Sequence, residues 1–292
     1  AGTNTLILNP GAQILGNVSD VNVDISVAGT AGDDEFVVRL TTGVLEVLVN
    51  GVSNQYLAPA GLNVGLAINT GDTGGDDFLT VDNTSGLVVA DITFDGGGET
   101  LADGIRVVGL LSASTIYTPD AATSGDAVVT VVDGGSLQTI VTNDLEAVDF
   151  DTFGTLTLVT AGSEDAVTLT AGRDAQTDTL DAVVISGTSD GVAFEDAHVR
   201  NVLSLVLDLA TNDGGAADDT LTVTNGSLDA APGLTSFTVQ TGNGSDTFNI
   251  DEDDFLLPGQ APAIAASTTV SIADATITET VPLFGPATGT SF

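Results

Sequence analysis

The stretch AGDDEFVV at residues 31–38 returns in altered form as GGDDFLTV at 74–81, SGDAVVTV at 124–131, GSEDAVTL at 162–169, AADDTLTV at 216–223 and GNGSDTFNI at 242–250. Each copy sets small residues before an aspartate and an apolar residue two positions after it, where a strand opens. Apolar residues alternating with polar ones mark a half-buried strand, and the glycine and aspartate ahead of them are turn formers. With Asp34, Asp76, Asp126, Asp165, Asp219 and Asp246 as markers, the unit recurs at intervals of 42, 50, 39, 54 and 27 residues. Those steps fit a turn of chain of about 20 to 27 residues counted once or twice, the period range of solenoids.

The rest of the chain reads the same way. Alternating runs at Thr3–Leu8, Phe36–Leu40, Val44–Val49, Phe78–Val81, Val128–Val132, Thr155–Val159, Val167–Thr170, Leu221–Val223 and Val270–Ile272 are separated by turns such as Gly71–Gly75, Gly96–Gly98, Gly134-Gly135, Asp213–Gly215 and Gly242–Gly244. Helical periodicity is nearly absent. The expectation is an all-β chain, a β-solenoid resembling a parallel β-helix with Asp/Gly-rich turns. Each turn of chain would bury an apolar row against its neighbours while the turn aspartates stack into acidic columns. Tandem β-sandwich domains are the alternative, since they too show short strands with frequent turn signals. Residues 1–257 read as the solenoid-like body. Residues 258–292 hold four of the eight prolines and read as a capping or subunit-pairing strand segment.

Charge narrows the function. The chain has 292 residues, 41 acidic side chains, four arginines, no lysine and a net charge of −37. Such a surface repels nucleic-acid backbones and anionic headgroups, and calls for cations. The acids are 33 Asp and 8 Glu. That bias, and the clustering of Asp beside Gly, favour loop cation sites over the general acidic coat of a salt-adapted protein. At 42% hydrophobic residues the chain has material for a core, which sets it apart from a disordered acidic tail. Without cysteine it has no disulfide, no thiolate metal site and no cysteine nucleophile. No apolar run approaches the ~18 residues of a membrane helix. The start Ala1-Gly2-Thr3 is that expected of a secreted chain trimmed of its signal peptide.

TGNGSDTFNI at 241–250 resembles the calcium-binding nonapeptide of the RTX, or haemolysin-type, family, G-G-x-G-x-D-x-U-x. Gly242, Gly244, Asp246 and Phe248 take matching positions, and Thr241 replaces the leading glycine. The resemblance is weaker through Gly74, Asp76 and Phe78 and through Gly32, Asp34 and Phe36. It implies that aspartates of successive turns hold Ca2+ between them. This chain departs from the family because its nonapeptides are not tandem, so other loops must complete each site. Calcium takes six to eight oxygens. The candidate ligands are Asp33 and Asp34; Asp72, Asp76 and Asp77; Asp213, Asp218 and Asp219; Asn243 and Asp246; and Asp251, Asp253 and Asp254. Solvated Asx turns are the competing reading of the first groups, and a wet charged face of the last.

A catalytic reading has little to use. EDAHVRN at 195–201 is the best candidate, because Asp196, His198 and Arg200 would share one strand face with Glu195 beside them, as in a calcium-dependent polysaccharide lyase. A surface pairing of charges explains the same residues, and an acidic polysaccharide would meet a repulsive surface. The sequence therefore points to a non-enzymatic, secreted, calcium-stabilised structural protein at the cell surface. Copies of the chain would self-assemble into an extracellular filament or surface layer through sheet edges or terminal strands. A stalk or ligand-binding module of an adhesin is the alternative.

Overall fold

The computed structural model describes residues 23–250, apart from 31, 57–63, 71–74, 98–102, 214–216, 225 and 243, together with 269–273 and 275–279. These residues are all-β: strands joined by turns, a short 3-10 segment at Leu228–Ala230 and no α-helix. The strands begin with β1 (Val23–Ala28), β2 (Glu35–Thr41), β3 (Val44–Val49), β4 (Val52–Tyr56), β5 (Val64–Asn69), β6 (Phe78–Asp82) and β7 (Asp91–Asp95). There follow β8 (Gly104–Val108), β9 (Ser114–Pro119), β10 (Ala127–Asp133), β11 (Ser136–Asn143), β12 (Ala147–Val159), β13 (Asp165–Arg173) and β14 (Asp181–Ser189). The last are β15 (Val192–Asp208), β16 (Thr220–Val223), β17 (Ser236–Gln240), β18 (Asp246–Ile250), β19 (Thr269–Ala273) and β20 (Ala275–Glu279). The run expected at Thr3–Leu8 lies outside the described residues.

Pairing is mostly parallel and organised in four ladders. β1, β5, β7 and β11 form the first. β2, β6, β8 and the leading halves of β12 and β15 form the second. The third takes β9, the trailing halves of β12 and β15, β17 and β19. The fourth takes β13, β16, β18 and β20. Sandwich sheets are antiparallel, so this pairing departs from the tandem-sandwich alternative. Antiparallel hairpins occur as insertions, in β2–β3–β4, β9–β10–β11 and β13–β14–β15. Four of their turns, Thr42-Gly43, Asn50-Gly51, Gly134-Gly135 and Asp190-Gly191, have positive φ at both residues, the geometry that matches hairpin twist.

The core follows from the two-residue period of a strand combined with parallel register, which sets like positions over one another. Phe36, Leu79, Ile105, Val148 and Ala197 are successive register partners, as are Val38, Val81, Val107, Phe150 and Val199, and all ten are fully buried. Aromatic contacts tie ladders together: the Phe36 and Phe94 rings lie 6.2 Å apart, and those of Tyr117 and Phe150 5.4 Å apart. β12 and β15 each serve two ladders. Both shift their inward phase at one level, between Phe150 and Phe153 and between Val199 and Val202, through Thr152 and Asn201 at φ 66° and 53°. The Asn201 amide donates to the Asp151 carboxylate at 2.7 Å across this level.

The segment after residue 258 contributes β19 and β20, which add in parallel to β17 and β18 within the same chain. No helix among the described residues is long and apolar enough to cross a membrane.

Replacing Phe150, a fully buried ring shared by two ladders, by alanine is expected to cost about 3–5 kcal/mol in urea unfolding. Leu111→Ala, at a side chain 55% exposed, should stay within about 0.5 kcal/mol.

Candidate functional site

Six aspartates are drawn inward by strand register. Asp34, Asp77, Asp103, Asp165, Asp219 and Asp246 each stand two positions before an inward residue, respectively Phe36, Leu79, Ile105, Val167, Leu221 and Phe248, and so share its side of the chain. All six carboxylates are buried. Their predecessors Asp33, Asp76 and Asp218 point outward and are exposed.

The inward carboxylates are linked from rung to rung through the backbone. Asp34 N–H donates to Asp77 Oδ1 at 2.6 Å, Asp77 N–H to Asp103 Oδ1 at 2.7 Å and Asp103 N–H to Glu146 Oε2 at 2.7 Å. A second column repeats the device, with Asp165 N–H donating to Asp219 Oδ1 and Asp219 N–H to Asp246 Oδ1, both at 2.9 Å. The plain step of each column is 26 residues from Asp77 to Asp103 and 27 from Asp219 to Asp246. Longer steps arise where hairpins intervene: 43 residues from Asp34 to Asp77, across β3 and β4, and 54 from Asp165 to Asp219, across β14.

In both columns an outward carboxylate completes a reciprocal bracket. Asp76 N–H donates back to Asp33 Oδ1 at 3.1 Å, and Ser245 N–H donates back to Asp218 Oδ1 at 2.8 Å. Each bracket therefore joins two rungs by a hydrogen bond in either direction. Glycine is required where the rungs touch. A Cβ on Gly75 would meet the Gly32 carbonyl carbon at 2.6 Å, and one on Gly244 the Ala217 carbonyl oxygen at 1.8 Å.

The columns are short of positive charge. Among the described residues Asp165 Oδ1, Asp219 Oδ2 and Asp246 Oδ2 are buried with no hydrogen-bond partner. Burial pushes the Asp219 carboxyl up to about 7; the Asp165 N–H opposes this, and repulsion from Asp165, Asp246 and Asp213 adds to it. Burial likewise raises Asp165, against hydrogen bonds from Thr160 and Ser189. A charge-assisted hydrogen bond contributes about 1.5–3 kcal/mol, whereas desolvating a carboxylate costs several. Asp219 and Asp246 each accept one column N–H, which leaves their second oxygens uncompensated, and a proton or a cation would compensate them. As placed, no three acidic or histidine side chains among the described residues form a ready-made metal centre.

Of the residues proposed from sequence, Asp33, Asp34, Asp76 and Asp77 meet at one bracket, and Asp218, Asp219 and Asp246 at the other. Asp213 stands at the second, where a Cβ on Gly242 would meet its carboxylate at 2.6 Å. Asp72, Asn243, Asp251, Asp253 and Asp254 lie outside the described residues. The GGDDF match shifts by one position: Gly75, Asp77 and Leu79 stack on Gly32, Asp34 and Phe36, not Gly74, Asp76 and Phe78, because Leu79 faces the core. Asp126 is not a rung marker. It precedes the antiparallel β10, where it accepts the Asp144 N–H at 3.1 Å. Asp103 was missed because Leu101 stands two positions before it, where the other copies have a small residue; the D-x-I-x-V pattern at 103–107 was the available signal.

In EDAHVRN, Asp196, His198 and Arg200 do share the outer side of β15, while Glu195 turns inward. His198 Nδ1 contacts the Arg173 carbonyl. Arg200 lies 3.7 Å from Asp151, which also pairs with Arg106. Burial pushes the Asp151 carboxyl up, but hydrogen bonds from Asn201, Thr152 and Arg106 hold it below the usual range. Beside them Asp149 accepts the Ala175 and Gln176 N–H groups at 2.8 and 3.1 Å, pinning the β13–β14 connection over this face.

Comparison with protein-family models, characterised proteins and solved structures finds no match for the chain.

Between the ordinary aspartate range and about pH 7 the folded chain holds a proton on Asp219 that the unfolded chain has released. Stability in chelator should therefore fall as pH rises from about 4 to about 7. Asp219→Asn should weaken that dependence in thermal melts, leaving the part carried by Glu195, which burial also pushes up to about 7.

Proposed function

We propose that the chain is a β-solenoid-like extracellular structural module that calcium stabilises, its repeating rungs locked by cations against the two aspartate columns. The observation that carries this reading is the repeated bracket together with the buried carboxylate oxygens that lack partners in the second column. Calcium takes oxygen ligands from flexible carboxylate and carbonyl sets, which the Asp/Gly-rich turns offer. Asp33, Asp34, Asp76 and Asp77 would serve one site and Asp213, Asp218, Asp219 and Asp246 the other. The likeness of 241–250 to the RTX nonapeptide is consistent with it.

Self-association is the second part of the proposal. Among the described residues β1 pairs only with β5, β19 only with β17 and β20 only with β18, and ladder ends of this kind are where a strand of another copy would add. Neighbours carrying −37 each repel until divalent cations screen them. A filament or surface layer outside the cell, where calcium is abundant, suits both features. The charged residues of β15 serve structure in this reading and do no chemistry.

Calcium at about 100 times its dissociation constant should stabilise the chain by about 2.7 kcal/mol per site, read as a rise in melting temperature that chelator reverses and that Asp219→Asn and Asp246→Asn reduce. Negative-stain microscopy in millimolar calcium should show fibres or sheets that disperse on chelation. Particles dispersed under both conditions would remove the assembly claim and favour an adhesin module.

A further inference from the structure

A second kind of acidic site lies where the chain segments at Gly97, Ser124–Gly125, Asp144–Glu146 and Phe194–Asp196 line one open pocket. It differs from the columns because its deepest acid is a glutamate that no repeat motif marks. Glu195 is 3% exposed. The Tyr117 hydroxyl, itself fully buried, donates to Glu195 Oε2, and Gly125 N–H supports the carboxylate. Its other oxygen, Oε1, is buried with no partner. No arginine or histidine lines the pocket; Asp144, Glu146 and Asp196 do. Burial pushes the Glu195 carboxyl up to about 7, and keeping it ionised at this depth beside three more acids is costly unless a cation joins it.

The backbone is drawn in tightly around this point. A Cβ on Gly125 would stand 3.0 Å from Asp144 Cα and 3.2 Å from the Leu145 carbonyl oxygen. One on Gly96 would stand 2.8 Å from the Asp144 carbonyl oxygen. Two glycines thus let three chain segments, with their carbonyl oxygens, crowd beside the acids, and Ser124 adds a hydroxyl. We propose that this pocket binds a divalent cation of the calcium type, with Glu195 as its buried anionic ligand and Tyr117 as the positioning residue that orients the carboxylate. Because no three carboxylates converge on one point as placed, the ion takes one or two of them and completes its shell with carbonyl, hydroxyl and water oxygens entering from the open mouth. The site adjoins the end of the first column, where Glu146 accepts the Asp103 N–H, but Glu195 and Tyr117 take no part in either bracket, so substitutions at these two residues leave the bracket carboxylates in place.

Tyrosine content makes the site separately readable. The chain has two tyrosines, Tyr56 and Tyr117, and no tryptophan, so a terbium ion, a luminescent calcium mimic, lights up on tyrosine excitation only where one of the two stands close by. The expected result is sensitised terbium emission from the full chain that calcium competes away, that survives Tyr56→Phe and that disappears in Tyr117→Phe. Glu195→Gln should shift the terbium midpoint at least about tenfold, with circular dichroism showing the β-fold retained. Asp196→Asn, at an exposed position, is the fallback if Glu195→Gln does not fold, and should also weaken binding. Absence of emission, emission persisting in Tyr117→Phe, or a midpoint unmoved by the acidic substitutions in folded protein would overturn the proposal. Calcium stabilisation of the columns, read by melting, stands or falls separately.

Discussion

A carboxylate placed on the inward side of a strand cannot stay charged without a partner, and this chain places one at the mouth of strand after strand. Asp34, Asp77, Asp103, Asp165, Asp219 and Asp246 are buried by the same alternation that buries Phe36 and Leu79. The backbone N–H of the rung before supplies the first part of the answer, since it lies one strand spacing away and would otherwise be an orphan at the start of a strand. The aspartate columns are therefore a consequence of parallel register as much as a decoration on it. Parallel ladders keep like residues stacked, and stacked aspartates bond to one another's backbones.

That arrangement accommodates the hairpins. β3–β4, β10 and β14 enlarge the step between rungs without disturbing the column, because the backbone-to-carboxylate hydrogen bond still closes each step. The long strands β12 and β15 are where the two halves of the chain share structure. Their coordinated phase change at Thr152 and Asn201 takes both strands from the second ladder to the third, and the Asn201 to Asp151 hydrogen bond locks the two strands at that level.

Much of the strand content was legible because alternation is a local signal. Phe36–Leu40, Val44–Val49, Phe78–Val81 and Thr155–Val159 all fall inside observed strands. Register was less legible. In GGDDF either aspartate could lead, and only burial of Leu79 decides for Asp77. Asp126 wears the same local motif as the rung aspartates but opens a hairpin strand, a distinction set by its partners β9 and β11. Glu195 reads locally as one charge in a charged run; what sets it apart is Tyr117, 78 positions away in sequence. The brackets could be anticipated as clusters of Asp beside Gly, yet the pairing of Asp33 with Asp76 and of Asp218 with Ser245 depends on which rungs adjoin.

The most direct test of the account is hydrogen exchange with and without millimolar calcium. The amides of Asp34, Asp165 and Asp219 donate to the carboxylates of Asp77, Asp219 and Asp246, at which the cations are proposed to sit. Calcium should slow exchange in peptides covering these residues far more than in peptides covering the β10–β11 hairpin. Equal protection everywhere, or none, would contradict the claim that cations on the aspartate columns hold the rungs together.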